Sequence, residues 1–250
     1  VTLPASFLDR PIAHRALHDS AAGRVENSRA SIEAAVAAGY GIEIDLQCAS
    51  DGVPMVFHDY DLRRLTIEMG PLAQRSSAQL AQIPLMGDRG GIPTLEEVLT
   101  LVAGRVPLLL EIKDQDGALG PATGPMGKTI AALLDRYDGD VAVMSFNPNH
   151  VAEMARLAPE VARGLTTCAF APGDWPGIPR PTLERLRQVP DYGHLGACFV
   201  SHDREDLDAP VIADLKSQGA KVLTWTIKSA EQETQARKVA DNITFEGYPA

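Results

Sequence analysis

Eight short apolar runs punctuate the chain, at residues 11–14, 41–47, 106–113, 141–146, 162–168, 197–202, 221–227 and 242–246. Most are continuous rather than alternating, the pattern of parallel strands covered by helices. Helical stretches fit between them. Ile32, Ala35, Val36 and Gly39 keep a helical spacing. Thr94-Leu-Glu-Glu97 reads as a capping box opening a helix through Val102. Asn147-Pro148 supplies a cap and a first-turn proline, with Val151, Met154 and Leu157 on one face. Further helices are predicted at 182–188, around Ile212 and Leu215 before Gly219, and at 230–239.

One segment breaks this rhythm. Asp51-Gly52 is a tight-turn signal between the second run and 53–57, so these two pieces should form a hairpin. A loop-rich stretch then runs to about Ile92, too long for an ordinary strand-to-helix connection. The expectation is one α/β domain over 1–250, with an insertion at about 51–92 between the second strand and second helix. A length of 250 residues is ample for a large core.

Charge narrows the partners. With 33 acidic and 23 basic residues the net charge is −10, which disfavours nucleic acid and stable association with an anionic membrane. No apolar run reaches the length of a membrane span. Three scattered cysteines, Cys48, Cys168 and Cys198, form no CxxC pair. That usage, with no basic and apolar leader at the N-terminal stretch, leads us to expect a reducing, cytoplasmic setting.

Chemistry is concentrated at strand ends. Glu43 and Asp45, two apart in GIEIDLQ, share one strand face, while Ile42, Ile44 and Leu46 share the other. Two carboxylates facing an interior need a cation or hydrogen bonds; on an edge strand they would form a solvated polar face. Glu111 and Lys113 in LEIK repeat the geometry, either as a plain ion pair or as a third carboxylate beside an anion-binding ammonium. Oxygen-only ligation suits Mg²⁺ or Ca²⁺ better than Zn²⁺. His14 and His58 also end predicted strands. A lone histidine is more often a hydrogen-bonding surface or core residue, but two on one rim fit proton transfer. Arg15 offers a fork for phosphate oxygens. His18, His150, His194 and His202 are read first as structural, His202 least securely. Trp225 and Phe146 suit either core packing or a pocket wall. The turn-rich loop 172–177 suits either a pocket rim or a surface loop.

The order of these pieces carries more than any one of them. His14-Arg15 is followed by Glu26-Asn27-Ser28, Glu43-Ile44-Asp45, Asp51-Gly52, His58-Asp59 and Leu62-x-Arg64-Leu-Thr66. Later come Leu110-Glu111-Ile112-Lys113, Ser145-Phe146 and Thr224-Trp225-Thr226. From about Pro11 to its end the chain resembles the glycerophosphodiester phosphodiesterase family. The resemblance implies a (β/α)8 TIM barrel with a small insertion after strand 2. It implies one divalent cation held at Glu43, Asp45 and Glu111, His14 and His58 as the acid/base pair, and Arg15 and Lys113 on the phosphate. Trp225, and less clearly Phe146, would line the substrate. The implied substrate is a small glycerophosphodiester, opened by attack of its own glycerol hydroxyl on phosphorus to give a cyclic phosphate and then glycerol 3-phosphate.

Three positions depart from the family pattern. Ala16 replaces a usual glycine, and would be strained if the backbone there needs a positive φ. Ser28 replaces a threonine and keeps the hydroxyl. Glu246 stands near the usual place of an aspartate and should reach further into the mouth. A lysophospholipase D-like or sphingomyelinase D-like activity on the same barrel would need an apolar groove near the mouth. A non-catalytic phosphodiester-binding barrel should lack a histidine or a carboxylate, yet all are present. Enolate chemistry would leave the histidine pairs unexplained.

Overall fold

The structure, a computed structural model, describes residues 1–88 and 90–250; residue 89, inside the expected insertion, lies outside the described residues. Nine strands are seen among the described residues: β1 Ile12–Ala13, β2 Gly41–Cys48, β3 Pro54–Val56, β4 Leu108–Ile112, β5 Val141–Ser145, β6 Ala162–Thr167, β7 Phe199–Asp203, β8 Lys221–Ile227 and β9 Asn242–Phe245. All but β3 run parallel, in the order β2-β4-β5-β6-β7-β8-β9-β1, and β1 returns to β2. The sheet is thereby closed into the eight-stranded barrel expected. The seam is short: Ile12 pairs with Gly41 and Thr244, and Ala13 with Ile42 and Phe245.

The helices are α1 Ser6–Asp9, α2 Arg29–Ala38, α3 Ser77–Leu80, α4 Leu95–Val102, α5 Met126–Leu134, α6 Pro148–Leu157, α7 Arg180–Arg187, α8 Pro210–Ser217 and α9 Ala230–Ala236. The capping box at Thr94 and Glu97 and the Asn147 cap form as their sequences dictate. Helix α5 is missing from the sequence reading. It follows a Gly- and Pro-rich approach and has no side-chain cap, so no start signal marks it.

Period-2 alternation sorts each strand into two cores. Ile42, Ile44, Leu46, Leu108 and Leu110 face outward into the layer formed with the helices. Leu109, Ala142, Met144, Phe199 and Leu223 fill the barrel axis, and Phe7 of α1 plugs its lower end. Asn242 ties that plug down through bonds to the carbonyls of Phe7 (2.7 Å) and Arg10 (2.6 Å). Gly164 is required here, because a Cβ would sit 2.5 Å from the Phe199 ring.

The Asp51-Gly52 hairpin is present: β3 pairs antiparallel with β2, Leu46 opposite Val56. The segment that follows contains α3 and two 3₁₀ turns, Leu62–Arg64 and Leu72–Gln74. It has its own small core of Phe57, Leu62, Leu72, Leu80, Leu85 and Ile92. That core fixes the segment against the barrel rim and sets His58 and Arg64 beside the mouth.

Candidate active site

Inward alternation on β2 and β4 brings Glu43, Asp45 and Glu111 to the C-terminal mouth, all three buried. One oxygen from each lies within 4.8 Å of the others. Two ligands of one hard cation, each about 2.0–2.6 Å from it, stand at most about 5 Å apart, so this spacing fits a shared ion. Glu43 accepts the backbone N–H of Arg15 on Oε2 (2.8 Å), while its buried Oε1 has no partner. Burial raises its pKa, and the Asp45 and Glu111 charges raise it further, well above the carboxylate range. An orphaned oxygen among three buried acids is what a cation would satisfy.

Asp45 is the opposite case. Burial works to raise its pKa, but Lys113, His58 and Arg15 outweigh it and hold it well below normal. The Lys113 ammonium bridges Asp45 Oδ1 (2.9 Å) and Glu111 Oε1 (2.6 Å). Asn27 donates to Asp45 Oδ2 (2.9 Å) from a left-handed backbone conformation, φ 58°.

His14 follows β1 and His58 follows β3, on the same rim. Each presents Nδ1 to a carboxylate at 2.6 Å, His14 to Glu246 and His58 to Asp59. A carboxylate only accepts, so Nδ1 carries the proton and Nε2 is left for other work. Burial depresses the His14 pKa, and the Glu246 hydrogen bond partly opposes that. Glu246 also accepts from Lys228 (2.8 Å) and stands 3.5 Å from His18 Nε2. The hydrogen bonds from His14 and His18 keep it ionised far into acid.

A chain of ion pairs locks the other side. Arg64 forks onto Asp59 (2.6 Å) and onto Glu26 (2.7 and 2.8 Å), and Glu26 holds Arg15 (2.9 Å). Arg15 Nε, 3.6 Å from Asp45, makes no hydrogen bond. The turn carrying it is held at φ 52° for Arg15 and 63° for Ala16, so the alanine does occupy a glycine-like conformation.

All nine residues singled out from the sequence line one cavity of about 120 Å³: His14, Arg15, Glu43, Asp45, His58, Glu111, Lys113, Phe146 and Trp225. Trp225 is half-buried where the β8–β9 register shifts, and its ring meets Phe146 edge-on at 5.6 Å between centroids. Loop 172–177 joins the rim through Trp175, 5.1 Å from Phe146. The other histidines divide. His202 is buried between the Thr167 hydroxyl (2.8 Å) and the Asp206 carbonyl (3.0 Å), a structural role. His194 is exposed and pairs with Asp191, and His150 is buried in α6. His18 was read as structural, but it shares Glu246 with His14. Lys228 was missed altogether. Nothing in their local sequence announces either, because their common partner Glu246 follows β9, across the barrel seam from His18 and one strand on from Lys228.

A buried acidic triad flanked by a fork-shaped cation, an ammonium and two carboxylate-held imidazoles suits an anion whose ester bond must be cut, which places the molecule among barrel hydrolases of phosphate esters. The particular family follows from comparison: the sequence model of the glycerophosphoryl diester phosphodiesterase family matches residues 14–242, and the chain belongs to that family. It is similar to a phosphodiesterase of Oleispira antarctica solved with the product sn-glycerol-3-phosphate, at 27% identity and TM-score 0.77 over 98% of this chain and 95% of that one. A glycerophosphodiester phosphodiesterase of Caldanaerobacter subterraneus is 30% identical over 87% of each chain. A glycerophosphodiester phosphodiesterase from Parabacteroides distasonis, 23% identical, shares the fold with TM-score 0.73 over 94% of this chain and 91% of its own.

Proposed function

We propose that this protein hydrolyses glycerophosphodiesters to glycerol 3-phosphate and an alcohol, with a divalent cation, Mg²⁺ or Ca²⁺, held by Glu43, Asp45 and Glu111. One observation carries this above the rest: two histidines, each fixed by a carboxylate through Nδ1, line the same small cavity as the acidic triad. The cation, when bound, supplies charge neutralisation at the phosphoryl oxygens. Arg15 and Lys113 bind and orient the phosphate, and both are already anchored by carboxylates, so little ordering is left to be done on binding. One histidine takes the proton of the glycerol hydroxyl next to the phosphoester carbon as it attacks phosphorus. The other gives a proton to the departing alcohol. Water then opens the cyclic phosphate, with the two roles reversed. Phe146 and Trp225 wall the pocket on its apolar side.

The Oleispira enzyme's product complex supports the choice of product, since that protein spans nearly the same fold. The test is a panel of glycerophosphodiesters with added Mg²⁺ or Ca²⁺, reading glycerol 3-phosphate release. Turnover should vanish with chelator and return with metal. A substrate lacking the glycerol 2-hydroxyl should not react; its normal hydrolysis would mean that water attacks directly, and would overturn the cyclic route.

A further inference from the structure

A second hollow of about 440 Å³ opens beside the mouth and shares His58, Glu111, Lys113 and Phe146 with the first cavity. A group esterified to a phosphate in the first cavity can therefore reach into it. Beyond the shared edge its wall is largely carbon, from Tyr60, Ile112, Leu119 and Trp175, and its volume suits a compact organic group. Four carboxylates also border it. Three of them face a cationic side chain: Asp59 faces Arg64, Asp61 faces Arg63 and Glu111 faces Lys113. Asp114 differs. It is buried, and among the described residues its hydrogen-bond donors are the Asn147 amide (2.7 Å) and the backbone N–H of Leu119 (3.0 Å), both neutral. Its charge is left to act across the hollow, and the Tyr60 hydroxyl registers it. Burial and then the Asp114 charge push the Tyr60 pKa up to about 12, with Asp116 and Glu111 adding to the rise and Lys113 opposing it.

The hollow is thus negative in potential and apolar in lining, and these two properties select among cations. A primary ammonium carries hydrogen-bonded water that a carbon wall cannot replace. A quaternary ammonium donates no hydrogen bond and packs against carbon. It is attracted both by a carboxylate behind the wall and by the faces of aromatic rings. Tyr60, 53% exposed, and the half-buried Trp175 supply such rings.

Resting on the phosphodiesterase reading above, we propose that this hollow binds a quaternary ammonium group, so that the preferred substrate is the glycerophosphodiester of a trimethylammonium alcohol. Glycerol carries no charge, so the ammonium belongs to the esterified alcohol whichever way the phosphate is turned.

The experiment measures KM for three esters of glycerol 3-phosphate, those of choline, of its uncharged isostere 3,3-dimethylbutanol, and of ethanolamine. Choline should give the lowest value, roughly 3–30-fold below the isostere, the range that a desolvated cation over an aromatic face supplies. Tyr60→Lys sets a like charge at an exposed position, and Trp175→Leu exchanges a ring for an aliphatic side chain. Each should bring the choline and isostere values together. The two alcohols differ as leaving groups by the same amount in every variant, so the change in their ratio reads the hollow alone. An isostere KM equal to or below that of choline would overturn the proposal. So would an ethanolamine KM as low as choline's, or a choline preference that both variants retain. Release of glycerol 3-phosphate from none of the three would overturn the hydrolytic reading, and the subsite with it. Release from all three without preference would overturn the subsite alone.

Discussion

The two histidines of the mouth are held in place by different means. His58 is oriented by its sequence neighbour Asp59, which is locked by Arg64, and Arg64 in turn grips the Glu26 that holds Arg15. His14 is oriented by Glu246, 232 positions away, and only because β1 and β9 meet at the closure of the barrel. One side is a local device braced by a relay of ion pairs. The other is a product of the global fold, shared among His14, His18 and Lys228. Similar local geometry at two 2.6 Å contacts thus rests on unlike foundations, and perturbations should separate them.

The largest effect is expected from removing either imidazole. His14→Ala and His58→Ala should each lower kcat by roughly 10²–10⁴-fold, with much less change in the binding of a non-reacting phosphate. Next come the orienting carboxylates. Asp59→Asn and Glu246→Gln should each cost roughly 10–100-fold in kcat, the scale seen when a group fixing another's orientation is lost. Arg64→Met should slow turnover several-fold, partly through His58 and partly through the Glu26 that holds Arg15, so a double-mutant cycle with Asp59→Asn should recover part of its cost; full additivity of the two losses would contradict the relay.

A pH profile sharpens the comparison further. The Glu246 hydrogen bond raises the His14 pKa against the pull of burial. Removing that carboxylate leaves burial and the Arg15 charge opposed only by Asp45, so in Glu246→Gln the limb of kcat/KM that reports His14 should move to lower pH. The same limb in Asp59→Asn should stay where it is. The smallest effect is expected at the turn after β1. Ala16→Gly relieves a side chain held at φ 63° and should stabilise the fold by about 1 kcal/mol, or roughly 2–4 °C in Tm, measured by calorimetry.

The same contrast explains what the sequence showed. Glu43, Asp45, Glu111 and Lys113 were legible because strand alternation fixes the face on which a residue lies once the strand is found. The strand count followed from eight apolar runs, the barrel from the resemblance to a known family, and the hairpin from Asp51-Gly52. Glu26, Asn27 and Arg64 were visible in the ordered motifs, but nothing local says that Arg64 reaches Glu26 across 38 positions. Glu246 drew notice only as a departure from a pattern, and its link to His14 required the closed barrel. Helix α5 escaped because neither a cap nor an acidic first turn announces it. A hollow of about 440 Å³ beside His58 draws on five separate stretches of chain, at Gln47, 58–61, 111–119, Phe146 and Trp175, so no one local pattern points to it.

The seam has one more consequence. Strand β1 contributes only two residues to the barrel, and the amide of His14 donates to Phe245 just beyond them. Sub-global openings follow the fewest bonds that must break together. Amides at Ile12, His14 and Phe245 should therefore exchange with deuterium sooner than those of β2 and β4, whose strands are longer and share a five-residue ladder. In such an opened form the acidic triad persists while His14 drifts from Glu246. The mouth would then fail in halves, losing the His14 side well before the rest of the barrel comes apart.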